Sequence, residues 1–406
     1  TSLLKRLGDG RGSPERRTDL NPAKAVTTGA AAAPAGNRQP LPELPPIDRS
    51  TYECVQTLEA LDAWIARAHA ARLVAFDTET SALDAISADL AGVSLCTGPG
   101  QACYIPLGHG GTDMFAERPQ QVPLADAIAR LKPLLESDAV LKVGQNAKYD
   151  LNVLAKHGIA VGPIDDTMVM SFDLDAGRSI DGIGGGHGMD ELSQRHLGHT
   201  PLAFKDLCGT GKKAISFTEV PVERATEYAA EDAEVTWRLH RLLKPRLSDE
   251  HATRVYERVD RPLVAVVAQM ERHGVKVDRE ALAGLSATFA EEIGKLEGEI
   301  HGLAGQPFTI GSPKQLGEIL FDKLGYKGGK KGKTGQYSTD QSVLEGLAGA
   351  GEGGGAEIAT KVLEWRQLSK LRSTYTEALQ EAINPHTGRV HTSYSLVGAQ
   401  TGRLSS

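Results

Sequence analysis

The run Val74-Ala75-Phe76-Asp77-Thr78-Glu79-Thr80 decides the fold: three apolar residues lead into two acids separated by a single position. The lead-in reads as a buried strand, and a period of two sends Asp77 and Glu79 to one face at its end. Two hard oxygen ligands then converge at a strand terminus. Further along, Gly144-Gln145-Asn146-Ala147-Lys148-Tyr149-Asp150 sets Asn146 four residues before Asp150, and Tyr228-Ala229-Ala230-Glu231-Asp232 sets Tyr228 four before Asp232. On helices each pair would share one face.

The flanks of these phrases mix strands and helices. A helical pattern over Leu58 to Ala70 runs into the strand, and further strand candidates are Leu90 to Cys96, Ala102 to Pro106 and Val140 to Val143. Helices are expected near Ala125 to Leu135, Lys148 to His157, Met189 to His196 and Val222 to Leu247. This is an α/β or α+β pattern. Carboxylates gathered in it suit Mg²⁺ or Mn²⁺, and two such cations about 4 Å apart can hydrolyse a phosphodiester.

The three phrases together resemble the exonuclease motifs of family A DNA polymerases, the DNA polymerase I family. The resemblance implies a ribonuclease H-like 3′→5′ proofreading exonuclease of the DEDD type, in the branch that carries Tyr, here Tyr228. It implies that Asp77, Glu79 and Asp232 hold one divalent cation, that Asp77 and Asp150 hold a second, and that Tyr228 with Glu79 orients the attacking water. Leu83 stands where the family wedges a leucine between terminal bases. Gln145, Asn146 and Tyr149 lie where the terminal nucleotide is held, and Phe204 resembles the phenylalanine that packs on the frayed strand; its alternative reading is a core aromatic.

After Asp260 the pattern becomes helical, over Pro262 to His273, Arg279 to Leu303, Pro313 to Leu324, Thr339 to Leu347 and Glu357 to Ile383. Met270-Glu271-Arg272-His273-Gly274-Val275-Lys276-Val277-Asp278 resembles the start of the family's polymerase domain, and the helices to Leu324 resemble its thumb. Ser369 to Tyr375, Asn384 to Ser393 and Thr401-Gly402-Arg403-Leu404-Ser405-Ser406 resemble the approach to the palm, with Arg403 at the place of an arginine that touches the primer end. The expected division is a disordered linker over residues 1–50 after a missing N-terminal domain, an exonuclease domain over 51–250, and a truncated polymerase thumb and start of palm over 251–406. The family's polymerase aspartates would lie beyond Ser406, so this polypeptide alone is expected not to extend a primer, and Val390 to Ser395 would lack the sheet it should join. Residues Lys323, Lys327, Lys330, Lys331 and Lys333, with Lys361, Arg366, Lys370 and Arg372, could contact duplex phosphates as a thumb does.

Composition narrows the partners. With 406 residues, 40% hydrophobic, the chain can build two or three cores. A net charge of −7 argues against a protein that simply coats nucleic acid. The apolar run near Pro262 to Met270 is too short to span a bilayer and the N-terminus lacks a signal-peptide core, so a cytosolic chain is expected; the resemblance implies a bacterial cytoplasmic, nucleoid-associated monomer with DNA as partner, single-stranded at the nuclease site and duplex along the thumb. The four cysteines form no CxxC pair, so they read as buried thiols. Residues 8–46, rich in Gly, Ala, Pro and charge, cannot bury enough apolar surface to order themselves. Gly332-Lys333-Thr334 fails as a phosphate loop because position 327 is Lys rather than Gly. Asp165 and Asp166 precede a helical stretch and read as its caps. Two rival functions stay open: an RNA-trimming exonuclease resembling ribonuclease D, and an inactive DNA-binding module.

Overall fold

Val74, Phe76, Thr78, Val93, Thr97, Tyr104 and Ile105 are residue types that fit a pleated, half-buried surface, and over residues 73–106 the chain lays down the middle of a sheet. The computed structural model describes residues 43–110, 118–176, 186–332, 335–349 and 354–406. The strands are β1 (Glu53–Cys54), β2 (Leu73–Thr80), β3 (Leu90–Gly98), β4 (Gln101–Pro106), β5 (Leu141–Gly144) and β6 (Ile164–Asp166). They form one sheet in the order β1-β4-β3-β2-β5-β6. The β2, β3 and β4 strands run antiparallel, whereas β5 lies parallel to β2 and β6 parallel to β5.

Helices cover the sheet: α1 (Leu58–Ala71), α2 (Leu124–Leu135), α3 (Lys148–Ala155), α4 (Thr167–Asp175), α5 (Met189–Leu197), α6 (Phe204–Cys208) and α7 (Val222–Asp249). Val74 and Phe76 on one face of β2 join a core with Leu61 and Trp64 of α1 and Leu131 and Leu134 of α2. The other face carries Ala75, which packs with Ala230 and Ala233 of α7. A stripe of alanines, Ala225, Ala229, Ala230 and Ala233, lets α7 lie close over the sheet. The mixed α/β reading holds. Strand β6 adds to the expected elements, and the helical stretch expected after Asp166 is α4, which the Asp166 side chain caps by accepting from the Met168 and Val169 amides, whereas Asp165 pairs with His240 and Lys244 instead.

Beyond α8 (Thr253–Val255) and a π-helical turn at Tyr256–Asp260 come α9 (Arg261–His273), α10 (Arg279–Ala304), α11 (Pro313–Gly317), α12 (Gln341–Ala348), α13 (Gly354–Lys370) and α14 (Ala378–Glu381). Asp278, Ser312 and Asp340 accept amide hydrogens at the starts of α10, α11 and α12, satisfying donors a helix cannot bond internally. Ile300, Leu316, Leu320, Leu344, Ile358 and Val362 form a second, helical core. Tyr256, Val264 and Ala268 instead join the first, so packing with the sheet carries on through α9. The continuous helices expected over 313–324 and 357–383 contain π-helical turns at Glu318–Lys323 and Leu371–Glu377, each of which resets the side-chain phase.

Several expectations shift. The linker expected to reach residue 50 ends sooner: the Pro45 carbonyl accepts from Arg238, and Arg49 pairs with Glu231 of α7. Residues 1–42, 182–185, Lys333 and Thr334 lie outside the described residues. Val390 pairs by isolated bridges with Val275 and Ile383. Cys96, Cys103 and Cys208 are buried thiols but Cys54 is exposed. No helix among the described residues is long and apolar enough to cross a membrane.

Candidate active site

Asp77 and Glu79 leave β2 on the face that α7 covers, as the alternation requires. Directly after them the β2–β3 register shifts between Glu79 and Thr80, a bulge that ends regular pairing at the site. Opposite Glu79 stands Gly92 on β3. A Cβ there would lie 2.3 Å from the Tyr104 ring, so glycine is required for that ring to lie beneath the strand.

Helix α7 delivers Tyr228 and Asp232 one turn apart. Carboxylate oxygens of Asp77, Glu79 and Asp232 fall within 4.8 Å of one another. The Tyr228 side chain lies close enough to Asp232 for burial and then the Asp232 charge to raise its phenol. The Glu79 Oε1 is buried and has no hydrogen-bond partner among the described residues.

Asp150 arrives from the other side. Strand β5 pairs with β2 only over Leu73 to Ala75, which leaves the Thr78 amide free on that edge. Asp150 Oδ1 accepts from it at 2.9 Å and from the Thr78 hydroxyl at 2.5 Å. Thr78 therefore anchors Asp150; its only sequence signal was its place between the two acids.

Burial dominates the electrostatics. It pushes the Asp77 carboxyl up to about 7. Glu79, Asp150 and Asp232 are also held well above the usual carboxylate range, by burial first and then by the charge of Asp77. Burial, then the neighbouring Asp232 and Glu79 charges, raises the Tyr228 phenol. Crowded carboxylates with an orphaned oxygen and, among the described residues, no cationic side chain bonded to them suit a hard cation: the donor set is all oxygen, and the cation would replace the protons these groups otherwise keep.

The remaining predicted residues take distinct positions. Leu83 is 94% exposed. The Tyr149 hydroxyl bonds Thr80 Oγ1 at 2.5 Å and the Ala82 carbonyl at 2.6 Å, latching the turn that carries Leu83. Asn146 is exposed, at φ 58, before α3 begins at Lys148. It therefore does not share a helix face with Asp150, contrary to the spacing argument; Asp166 holds this turn by accepting the Asn146 and Ala147 amides. Gln145 is turned inward, donating to the His187 carbonyl and accepting from Thr167. Phe204 is 47% exposed and stacks on buried Phe217, with Tyr228 edge-on at 6.2 Å. It is thus neither a core aromatic nor a free one. Arg403 is exposed near the Ser395–Ser405 bridge. Among the basic residues of the helical part, Lys361 pairs with Glu299, Arg372 with Glu377, and Arg366 donates to Thr339.

Residues 52–248 match the model of the 3′-5′ exonuclease family, and residues 279–406 match that of DNA polymerase family A. The chain is 50% identical over 374 residues to DNA polymerase I of Rhizobium leguminosarum, which covers 89% of the chain and 36% of the relative. It is 43% identical over 359 residues to DNA polymerase I of Pseudomonas aeruginosa, covering 87% and 38%. The chain thus spans little more than a third of the length of these relatives. A solved structure, the POL domain of Pol1 from M. smegmatis in complex with DNA primer-template and dNTP, superposes with a TM-score of 0.67 at 23% identity, covering 87% of this chain and 54% of that one. With an exonuclease-family sheet followed by a polymerase-family helical segment, and half of the aligned residues identical to those of a bacterial homologue, the chain belongs to the DNA polymerase I family, the family A DNA polymerases.

Proposed function

We propose that the region around residues 51–250 is a metal-dependent 3′→5′ exonuclease that removes terminal nucleotides from DNA, proofreading for a polymerase whose thumb and palm begin in residues 251–406. One observation carries this reading: three acids from two elements, Glu79 and Asp232 buried and Asp77 half-buried, converge with an orphaned Glu79 oxygen inside the segment that matches the exonuclease family. Asp77, Glu79 and Asp232 would hold one Mg²⁺ or Mn²⁺, and Asp77 with Asp150 a second. Bound there, the pair supplies an activated water and stabilises the leaving 3′ oxygen.

The chain's own groups do the rest. The Tyr228 phenol stays protonated, so it orients water as a donor and does not act as a base. Leu83, projecting from the latched turn, separates the terminal base from its neighbour. Phe204 offers an exposed ring for base stacking, worth about 1–3 kcal/mol per base. Asn146 and Tyr149 flank the terminal nucleotide, Gln145 supports them from behind, and Arg403 with the basic helical surface faces duplex phosphates.

The test is a 5′-labelled DNA strand and a matching RNA strand, each incubated with Mg²⁺ and with chelator. Chelator-sensitive shortening of DNA that Asp77→Ala abolishes is the expected result. Shortening of RNA alone would move the assignment to the ribonuclease D-like alternative, and no shortening of either would leave a binding module.

A further inference from the structure

We propose that Glu271 is a positioning residue for Asp150, an inference that rests on the exonuclease reading. Glu271 sits on α9, in the stretch between the two family-matched segments, and its residue is only 5% exposed. Its carboxylate grips α3 twice. Oε1 accepts from Lys148 Nζ at 2.6 Å, and Oε2 accepts from Asn152 Nδ2 at 2.7 Å. Lys148 and Asn152 are four residues apart and share one face of α3, whereas Asp150, midway between them, projects from the opposite face. Helix α3 is therefore held between two anchors, the Glu271 carboxylate on one side and Thr78 on the other.

The same carboxylate reaches a third segment. Oε1 also accepts the Tyr394 amide at 2.6 Å, and the Glu271 carbonyl lies 2.7 Å from His391 Nδ1. Gly274, at φ 62, permits the approach, since a Cβ there would lie 2.7 Å from the His391 ring. One buried side chain thus joins the helix that presents Asp150 to a segment of the polymerase-family region 279–406. A buried carboxylate bonded by an ammonium and two further donors fixes direction as well as distance. Loss of its charge lets α3 relax while β2 and α7 keep Asp77, Glu79 and Asp232 in place.

The experiment is Glu271→Gln in the whole chain, with Asp77→Ala in parallel. Mn²⁺ binding is measured by calorimetry, and kcat and KM on a single-stranded 3′ end at a temperature where circular dichroism shows the variant folded. The expected result is a fall in kcat on the order of tenfold, a rise in the Mn²⁺ dissociation constant of about fivefold, and an unchanged KM. A folded variant with wild-type Mn²⁺ affinity and kcat overturns the proposal, as does a loss confined to KM. Should Glu271→Gln fail to fold, Asn152→Ala removes one donor and must show the same split at about a third of the size; its absence is equally decisive against. Activity surviving in Asp77→Ala would instead indict the exonuclease reading itself.

Discussion

Asp232→Asn should make the metal-free protein more stable. Asp232 is buried within 4.8 Å of both Asp77 and Glu79. An ionised pair at that separation repels by about 3.5 kcal/mol at an effective dielectric of about 20. The chain escapes most of this by retaining protons, with Asp77 raised to about 7 and Glu79 and Asp232 also raised well above the usual carboxylate range. Asparagine removes the charge at nearly the same volume. In chelator the variant should therefore melt a few degrees above the parent, read by calorimetry of the transition that unfolds the sheet core. The sign with pH follows: a carboxyl whose folded pKa is raised loses stability as pH climbs from its unfolded value through the folded one. The gap between variant and parent should widen from about pH 4 through about pH 7, as the raised carboxyls would otherwise ionise. Saturating Mn²⁺ should reverse the order, because only the parent retains the full ligand set. A variant less stable in chelator, or a gap indifferent to pH, would refute the claim that mutual charge strains this site.

Three further outcomes are expected. Thr78→Val deletes the hydroxyl donor to Asp150 while keeping its shape; a charge-assisted bond of about 1.5–3 kcal/mol is lost, and the Mn²⁺ dissociation constant should rise about tenfold by calorimetry. Tyr149→Phe unlatches the turn bearing Leu83, so KM for a single-stranded 3′ end should rise about threefold to tenfold with little change in melting temperature. Asp165, buried among His240, Lys244 and Arg261, is held at about 2; burial opposes this, and the cationic partners outweigh it. Asp165→Ala should cost about 3 kcal/mol at neutral pH. Because the folded pKa is lowered, the parent's advantage is complete above about pH 4 and disappears between about pH 4 and pH 2, which acid denaturation curves would track.

Much of the site was legible because its signals are local. The alternation in 74–80 sets the β2 face, and the four-residue spacing of Tyr228 and Asp232 works because both lie well inside a 28-residue helix. The same spacing failed for Asn146, where a left-handed turn precedes the helix and breaks the period. Strand β6 is three residues long and too short for a periodic signal. Glu271 was hidden for another reason: its partners lie about 120 residues away in either direction, at Asn152 and Tyr394, and no local pattern marks an acid that bridges such distances. Thr78 and Tyr149 were in view, but a hydroxyl's role depends on which backbone edge is left open.

The alanine stripe of α7 acts as a gauge. Asp232 rides on the helix and Asp77 and Glu79 on the sheet, so the width of the ligand cage equals the helix-to-sheet clearance, which Ala229, Ala230 and Ala233 set without touching an ion. Preference among Mg²⁺, Mn²⁺ and the larger Ca²⁺ is then adjustable from behind: a bulkier residue at Ala230 or Ala233 would widen the cage and shift its choice towards larger ions with every carboxylate unchanged.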